Sequence, residues 1–372
     1  MGDPVIAHCT EWLFTKDIED FNVRHVTLDH VDHKLRFSFA NRIKRKIRKL
    51  FGREWTYDEF TDKVYEQSIA YFNRKIKHSD WIVVVGGGLV KYKYQMLGVE
   101  LAALCVAADS QQIPVIVNSV GIEGYDADDK ICKMMKQAFE LPSIKSVTTR
   151  DDIKTLKNCF LENAIHVYCE KVADPAVWTS EAYGVQKKGS NKVGLGIGRA
   201  GLFKANGINL DGTQLQELYV SIAVELAKRG YEVELFTNGL LSDDNMAQKV
   251  QESLDNYGLK LNIRLPQSDS ELVEIISSYA MVVATRLHST IISYALDIPA
   301  VGLVWNEKLS FFGQNIGSPD NFIQPNLFDS TYIVNQVEKA AENGYDQQRK
   351  VDFKKSIMKN VDFIINNFIL TA

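Results

Sequence analysis

Apolar positions along the chain follow two rhythms. Short unbroken runs at 81–85 (WIVVV), 113–117 (IPVIV), 146–149 and 165–168 have the length and β-branched content of buried strands. Between them, at about 57–76, 94–110, 126–139 and 151–161, apolar residues recur three or four apart, the spacing of one helix face. Strand and helix alternate, so this half predicts an α/β layer.

After a polar stretch at 184–191, rich in Gly, Gln, Lys, Ser and Asn, the alternation resumes. Strands are expected at 193–197, 232–236, 261–264, 281–284 and 300–304, and a helix over 214–229 ends at Gly230, a residue suited to a C-cap. Residues 345–369 read as a last helix in which Phe353, Ile357, Val361 and Ile365 form one apolar stripe, fit to pack back across the first domain. A chain of 372 residues exceeds what one core usually holds. The expected architecture is therefore α/β, with two Rossmann-like domains facing a cleft. Residues 1–183 form the first, 184–191 a linker, 192–344 the second and 345–372 the closing helix.

The run at 281–284 delivers Arg286 and His288 to the start of a helical pattern carried by Ile291, Ile292 and Ala295. Ligands gather at the carboxyl ends of strands in such sheets, and an entering helix offers amides and a positive dipole end to anions. Arg286 supplies a planar fork for carboxylate or phosphate. His288, two residues on, would project to the same side of an extended chain and titrates near neutrality. An anion clamp thus stands beside an acid–base group. Taken alone, Arg-x-His favours a capping arginine and a buried structural histidine, so its companions decide.

Composition narrows the choice. A net charge of −4 gives no global reason to expect nucleic acid. Cys9, Cys105, Cys132, Cys159 and Cys169 are scattered, without C-x-x-C or zinc spacing, which predicts reduced thiols, no disulfide and a cytoplasmic setting. No secretory leader and no apolar run of about 18 residues is present in this sequence. His25, His30 and His33 lack a ligand spacing with nearby carboxylates, so no metal site is expected, and His166, inside a strand-like run, reads as core. The run from Gly194 to Arg199 is G-x-G-x-G with no prompt helix, which argues against NAD. Residues 34–53 hold nine basic and no acidic side chains, with Phe39, Ile43, Ile47, Leu50 and Phe51 at helical spacing. This basic amphipathic helix, at about 37–51, either lies on an anionic membrane surface or packs on the first domain with a solvated face.

Several segments, in order, resemble the polysaccharide pyruvyltransferase family, and the likeness covers most of the chain. They are Gly86-Gly87-Gly88, Asn118-Ser119-Val120-Gly121-Ile122, Arg150-Asp151, Asp174-Pro175, Thr285-Arg286-Leu287-His288-Ser289 and Trp305-Asn306-Glu307-Lys308. Gly2-Asp3 matches the end of an Asn-x-Gly-Asp turn that opens the family, although the strand before that turn is absent from this sequence. The resemblance implies a GT-B-like fold and transfer of a 1-carboxyethylidene group from phosphoenolpyruvate to two hydroxyls of a sugar, in a surface polysaccharide or its polyprenyl-linked precursor. No cofactor beyond that donor is implied.

On this reading His288 is the acid–base group, and Arg286 with the amides around Ser289 holds phosphate or carboxylate. Lys308 and Asn306 join the donor site, with Lys308 either neutralising donor charge or simply solvated. Gly86, Gly87 and Gly88 form an anion-binding nest or merely a tight turn. Arg150 reaches the cleft or pairs with Asp151 and Asp152. Arg199, Asp3 and Ser119 are further candidates, Arg199 also fitting a plain surface loop. Two other functions stay open: a GT-B glycosyltransferase using a nucleotide sugar, and a non-catalytic membrane-associated glycan-binding protein.

Overall fold

The computed structural model describes residues 1–18, 21–38, 41, 55–91 and 96–370. The chain divides into two compact units, one of Met1–Lys16 with Asp174–Met358 and the other of Asp17–Ala173 with Lys359–Ala372. The division therefore falls elsewhere than at 184–191. That polar stretch is pinned rather than free: Lys188 donates its N–H to Ser277 O at 2.8 Å and Ser190 Oγ donates to Ser278 O at 2.6 Å. The first helix, Gly2–Thr15, groups with the later half because its buried face of Val5, Ile6, Cys9, Leu13 and Phe14 meets residues just after Asp174. Cys9 Sγ lies 3.8 Å from Thr179 Oγ1, and the Trp12 and Trp178 rings are 5.6 Å apart.

The unit of 17–173 and 359–372 holds β1 (Ile82–Val84), β2 (Val90–Lys91), β3 (Val115–Val120), β4 (Ile122–Glu123) and β5 (Ile144–Thr149). A parallel sheet runs β1-β3-β5, and β2 pairs with β4 beside it. Every residue of β3 is buried, and helix Leu97–Ser110 is apolar almost all round, as a covered parallel layer requires. The strand expected at 165–168 does not form. Ile165 is 94% exposed and His166 is exposed, its ring 3.2 Å from Leu141 O, so the expectation of a core histidine is corrected. Only Val167 turns inward there, and the chain meets β5 through single bridges at Tyr168 and Lys171. Helix Gln347–Ile364 ends in this unit, where Asn360 donates to Asn118 Oδ1 at 3.0 Å and Phe363 stacks on Tyr168. The basic helix expected at about 37–51 lies almost wholly outside the described residues.

The other unit carries β6 (Lys192–Gly196), β7 (Glu232–Phe236), β8 (Asn262–Arg264), β9 (Met281–Ala284), β10 (Ala300–Leu303) and β11 (Phe322–Ile323). They form one parallel sheet in the order β11-β10-β9-β6-β7-β8. Counted from β6 this is the doubly wound order, and its direction reverses between β6 and β9. All five cysteines are free, and burial pushes the Cys9 and Cys105 thiols up to about 12.

Candidate active site

The loops after β6 and β9 flank the switch point, where the two directions of winding leave a crevice beyond the strand ends. The loop after β6 brings Gly198 and Arg199; the loop after β9 brings Thr285, Arg286 and His288. A buried tyrosine, Tyr219, ties the loops together. Its hydroxyl accepts from Gly198 N–H at 2.9 Å and is hydrogen-bonded to Thr285 Oγ1. Burial pushes this phenol up to about 12, so it is a neutral link at ordinary pH. The β10 loop is fastened to the same place, since Trp305 Nε1 donates to Thr285 O at 2.7 Å.

Arg286 is the extended N-cap of helix Leu287–Ala295, so His288 already lies in the first helical turn. The two are not successive same-side residues of an extended chain, and the geometry that joins them is the turn. Arg286 donates through Nε and Nη2 to both oxygens of Asp243, at 2.8, 2.8 and 2.6 Å. Asp243 is fully buried and also accepts from the backbone N–H of Arg199 at 3.2 Å. Arg199 Nη1 donates to Ser242 Oγ at 2.9 Å and stands 3.9 Å from Asp243 Oδ1. Asp243 was not foreseen, because its neighbourhood reads as an ordinary acidic start to helix Leu241–Asp255.

His288 sits against Gly2: a methyl built on Gly2 would lie 2.2 Å from Nδ1. Nε2 is 4.0 Å from Oδ2 of Asp174, a carboxylate that is 3% exposed and whose other oxygen caps the short helix Pro175–Trp178. That separation is beyond a direct hydrogen bond and keeps the two groups within electrostatic reach of each other. The family-like residues Gly2 and Asp174 thus flank the imidazole. Asp3 follows Gly2 in the first turn of the same helix.

Ser289 is buried, and its hydroxyl donates to Asn238 Oδ1 at 2.8 Å while its N–H donates to Arg286 O at 3.1 Å. Its amide is therefore engaged by the turn itself, and the outermost amides of this helix are those of Leu287 and His288. Asn306 is the N-cap of helix Glu307–Asn315, makes no side-chain cap, and has a buried Oδ1 with no hydrogen-bond partner among the described residues. Lys308, half-buried, lies in the first turn of that helix.

The other candidates lie in the unit of 17–173. Gly86 has φ +146°, a conformation that only glycine enters easily, and Gly87 O accepts from Gly121 N–H at 2.7 Å. Gly88 follows in the same bend. Ser119 has φ +53° at a register shift in β3, and its Oγ donates to Ala173 O at 2.7 Å, which gives the hydroxyl a structural task. Arg150 is buried at the end of β5, and Asp151 beside it accepts from Ile122 N–H, Thr149 Oγ1 and Asp152 N–H.

The fold is an α/β architecture of GT-B type, with a turn bearing Arg286 and His288 at its switch point. The fold is similar to that of UDP-GlcNAc 2-epimerase from Neisseria meningitidis bound to UDP-GlcNAc, at 12% identity over 100% of this chain and 97% of that one, TM-score 0.53. UDP-GlcNAc 2-epimerase from Methanocaldococcus jannaschii is similar at 11% identity over 84% of each chain, TM-score 0.55. At such identities the likeness concerns fold alone. The family model for polysaccharide pyruvyl transferase matches residues 1–307, and the chain belongs to that family. No curated protein matches the sequence.

Proposed function

We propose that the protein transfers the pyruvyl group of phosphoenolpyruvate to two hydroxyls of a sugar in a surface polysaccharide or its lipid-linked precursor, releasing phosphate. The observation that supports this most is the β9 turn, where Arg286 and His288 stand at the switch point in a member of the pyruvyl transferase family. The donor needs its anions gripped, its C3 protonated and its phosphate released. Protonation at C3 makes C2 electron-poor; one sugar hydroxyl adds to C2 and loses its proton. Phosphate then departs with the C2–O bond, and the second hydroxyl closes the ketal, losing the other proton. Of the two protons lost, one replaces that given to C3 and one leaves with phosphate or solvent. In this reading His288 gives and regains the proton, with the Asp174 carboxylate 4.0 Å from its Nε2. Arg286, Arg199 and the helix entrance supply the anion grip, with Lys308 in the first turn of helix Glu307–Asn315.

Calorimetric titration with phosphoenolpyruvate and turnover with a panel of sugar acceptors test the reading in wild type, Arg286→Ala and His288→Ala. The arginine change should weaken donor binding; the histidine change should leave binding and lower turnover by ~10²–10⁴-fold. Unchanged binding and turnover in both variants sinks the assignment. Tight binding of a uridine diphosphate with no phosphate release from phosphoenolpyruvate would favour a nucleotide-sugar enzyme instead.

Among the described residues no helix is long and apolar enough to cross a membrane. Residues 34–53 supply a peripheral contact with an anionic inner leaflet in this reading, bringing the enzyme to a polyprenyl-linked acceptor. Co-sedimentation with phosphatidylglycerol vesicles should be lost when Lys44, Arg45, Lys46, Arg48 and Lys49 are neutralised, and retention of binding would refute it.

A further inference from the structure

Asp243 stands on the first turn of the helix that follows β7, yet its carboxylate reaches the loops of two other strands. Toward β9 it takes the Nε–Nη2 edge of Arg286 with both oxygens. Toward β6 it takes the Arg199 amide and lies near that residue's guanidinium. One buried carboxylate thus spans both sides of the switch point. A guanidinium is planar, so holding one edge with two oxygens fixes the plane and the direction of the edge that carries Nη1. Two arginines against one aspartate also leave a single excess positive charge, less than a phosphate and a carboxylate together carry.

We propose that Asp243 is the positioning residue of the site: it aims Arg286, joins it to the Arg199 loop and limits how tightly the ground-state anion is held. The inference deepens the pyruvyl-transfer reading and rests on it in taking Arg286 as a donor contact. Removing the negative charge while keeping the shape should not weaken anion binding, because a repulsive neighbour is gone. It should cost turnover, because the fork is no longer held in one plane. A pair that only braced the fold would not separate the two effects.

The test uses the full chain as wild type, Asp243→Asn and Asp243→Glu. Calorimetry with inorganic phosphate and with phosphoenolpyruvate reads affinity, acceptor-dependent phosphate release gives kcat and KM, and scanning calorimetry gives the thermal midpoint. Asp243→Asn should bind both anions at least as tightly as wild type and lose ~100-fold in kcat without a rise in KM. Asp243→Glu keeps the charge but displaces the fork by one methylene, so affinity should hold within about threefold while kcat falls at least ~10-fold. The proposal is overturned if kcat stays within about threefold of wild type in both variants, or if affinity and kcat fall together with the thermal midpoint. Should Asp243→Asn fail to fold, Asp243→Glu gives the same two readings. If wild type binds phosphate but releases none from phosphoenolpyruvate, the transfer reading fails. Asp243 is then judged by phosphate affinity, unweakened binding in Asp243→Asn supporting it and a loss beyond about threefold overturning it. Wild type that binds neither anion overturns both.

Discussion

Replacing Gly2 by alanine perturbs the candidate catalytic histidine from a position 286 residues away in the chain. The added methyl would lie 2.2 Å from Nδ1, 2.5 Å from Cγ and 2.9 Å from Cβ of His288. Unstrained contacts between such atoms begin near ~3.5 Å, so roughly 1 Å must be recovered by movement. The helix cannot yield cheaply, because Val5, Ile6, Cys9, Leu13 and Phe14 anchor it over about two and a half turns. The ring therefore swings, or the first turn of the helix lifts from it. Overpacking of this kind costs ~1–3 kcal/mol, which in a unit of roughly 200 residues lowers the thermal midpoint by about 2–12 °C. A displacement of ~1 Å at an acid–base group costs ~10²-fold in turnover. The three atoms nearest the added methyl all belong to His288, so KM for the donor should hold while kcat falls. Phosphate-release kinetics and scanning calorimetry on Gly2→Ala read both quantities. A variant with wild-type kcat and an unchanged midpoint would show that the imidazole is not held by this contact, and the account of the site would have to be rebuilt.

Three further outcomes follow from other parts of the fold. Glu100 is fully buried, its Oε1 accepts from the N–H groups of Val31 at 2.8 Å and Asp32 at 3.1 Å, and burial outweighs those bonds to push its carboxyl up to about 8. A carboxyl raised above its ordinary 4.5 stabilises the fold fully below that value and loses the contribution as pH rises through about 8, so Glu100→Gln should gain midpoint relative to wild type between pH 5 and pH 9; a constant difference refutes this. Tyr219→Phe strips a buried hydroxyl from Gly198 N–H and Thr285 Oγ1, at a cost of ~1–3 kcal/mol by urea unfolding, and should weaken phosphoenolpyruvate binding as the Gly198–Arg199 loop loosens. Unaltered binding would detach that loop from the site. Gly86→Ala forces a side chain into φ +146° and against Leu89 at 3.3 Å, for ~1–3 kcal/mol, and an unmoved thermal midpoint would show that the turn adapts.

The sequence made the strand-and-helix alternation legible because a buried parallel strand and the helix covering it leave different apolar spacings. Met281–Ala284 followed by the helix of Leu287–Ala295 is the clearest case, and the turn carrying Arg286 and His288 lies between them. Spacing says nothing about partners. The stripe on Gly2–Thr15 announces a buried face but not which sheet buries it, so sequence order puts the helix in 1–183 while it packs with residues after Asp174. A polar stretch likewise reports solvent and not separation, as the bonds from Lys188 and Ser190 show. At 165–168 a short apolar run met a turn, and no neighbour could compensate for an outward Ile165.

Asp243 is the most instructive omission, since a partial signal for it existed. In a parallel doubly wound sheet every strand delivers its carboxyl end to the same edge, so the first turns after β6, β7 and β9 must converge. An arginine buried at one of those turns needs an acid at another. Within about ten residues after the ends of β6, β7 and β9 the acids are Asp243 and Asp244, adjacent in sequence. Helical rotation separates them by about 100° per residue, so one can face the switch point while the other turns away. The structure has Asp243 fully buried on Arg286 and Asp244 accepting from Thr237 Oγ1 at 2.6 Å. Exchanging the pair in register, Asp243→Asn against Asp244→Asn, should therefore lower turnover by ~100-fold in the first and leave it within about threefold in the second. Equal losses in both would mean that the acidic start of the helix acts through its charge alone, and that the fork on Arg286 is incidental.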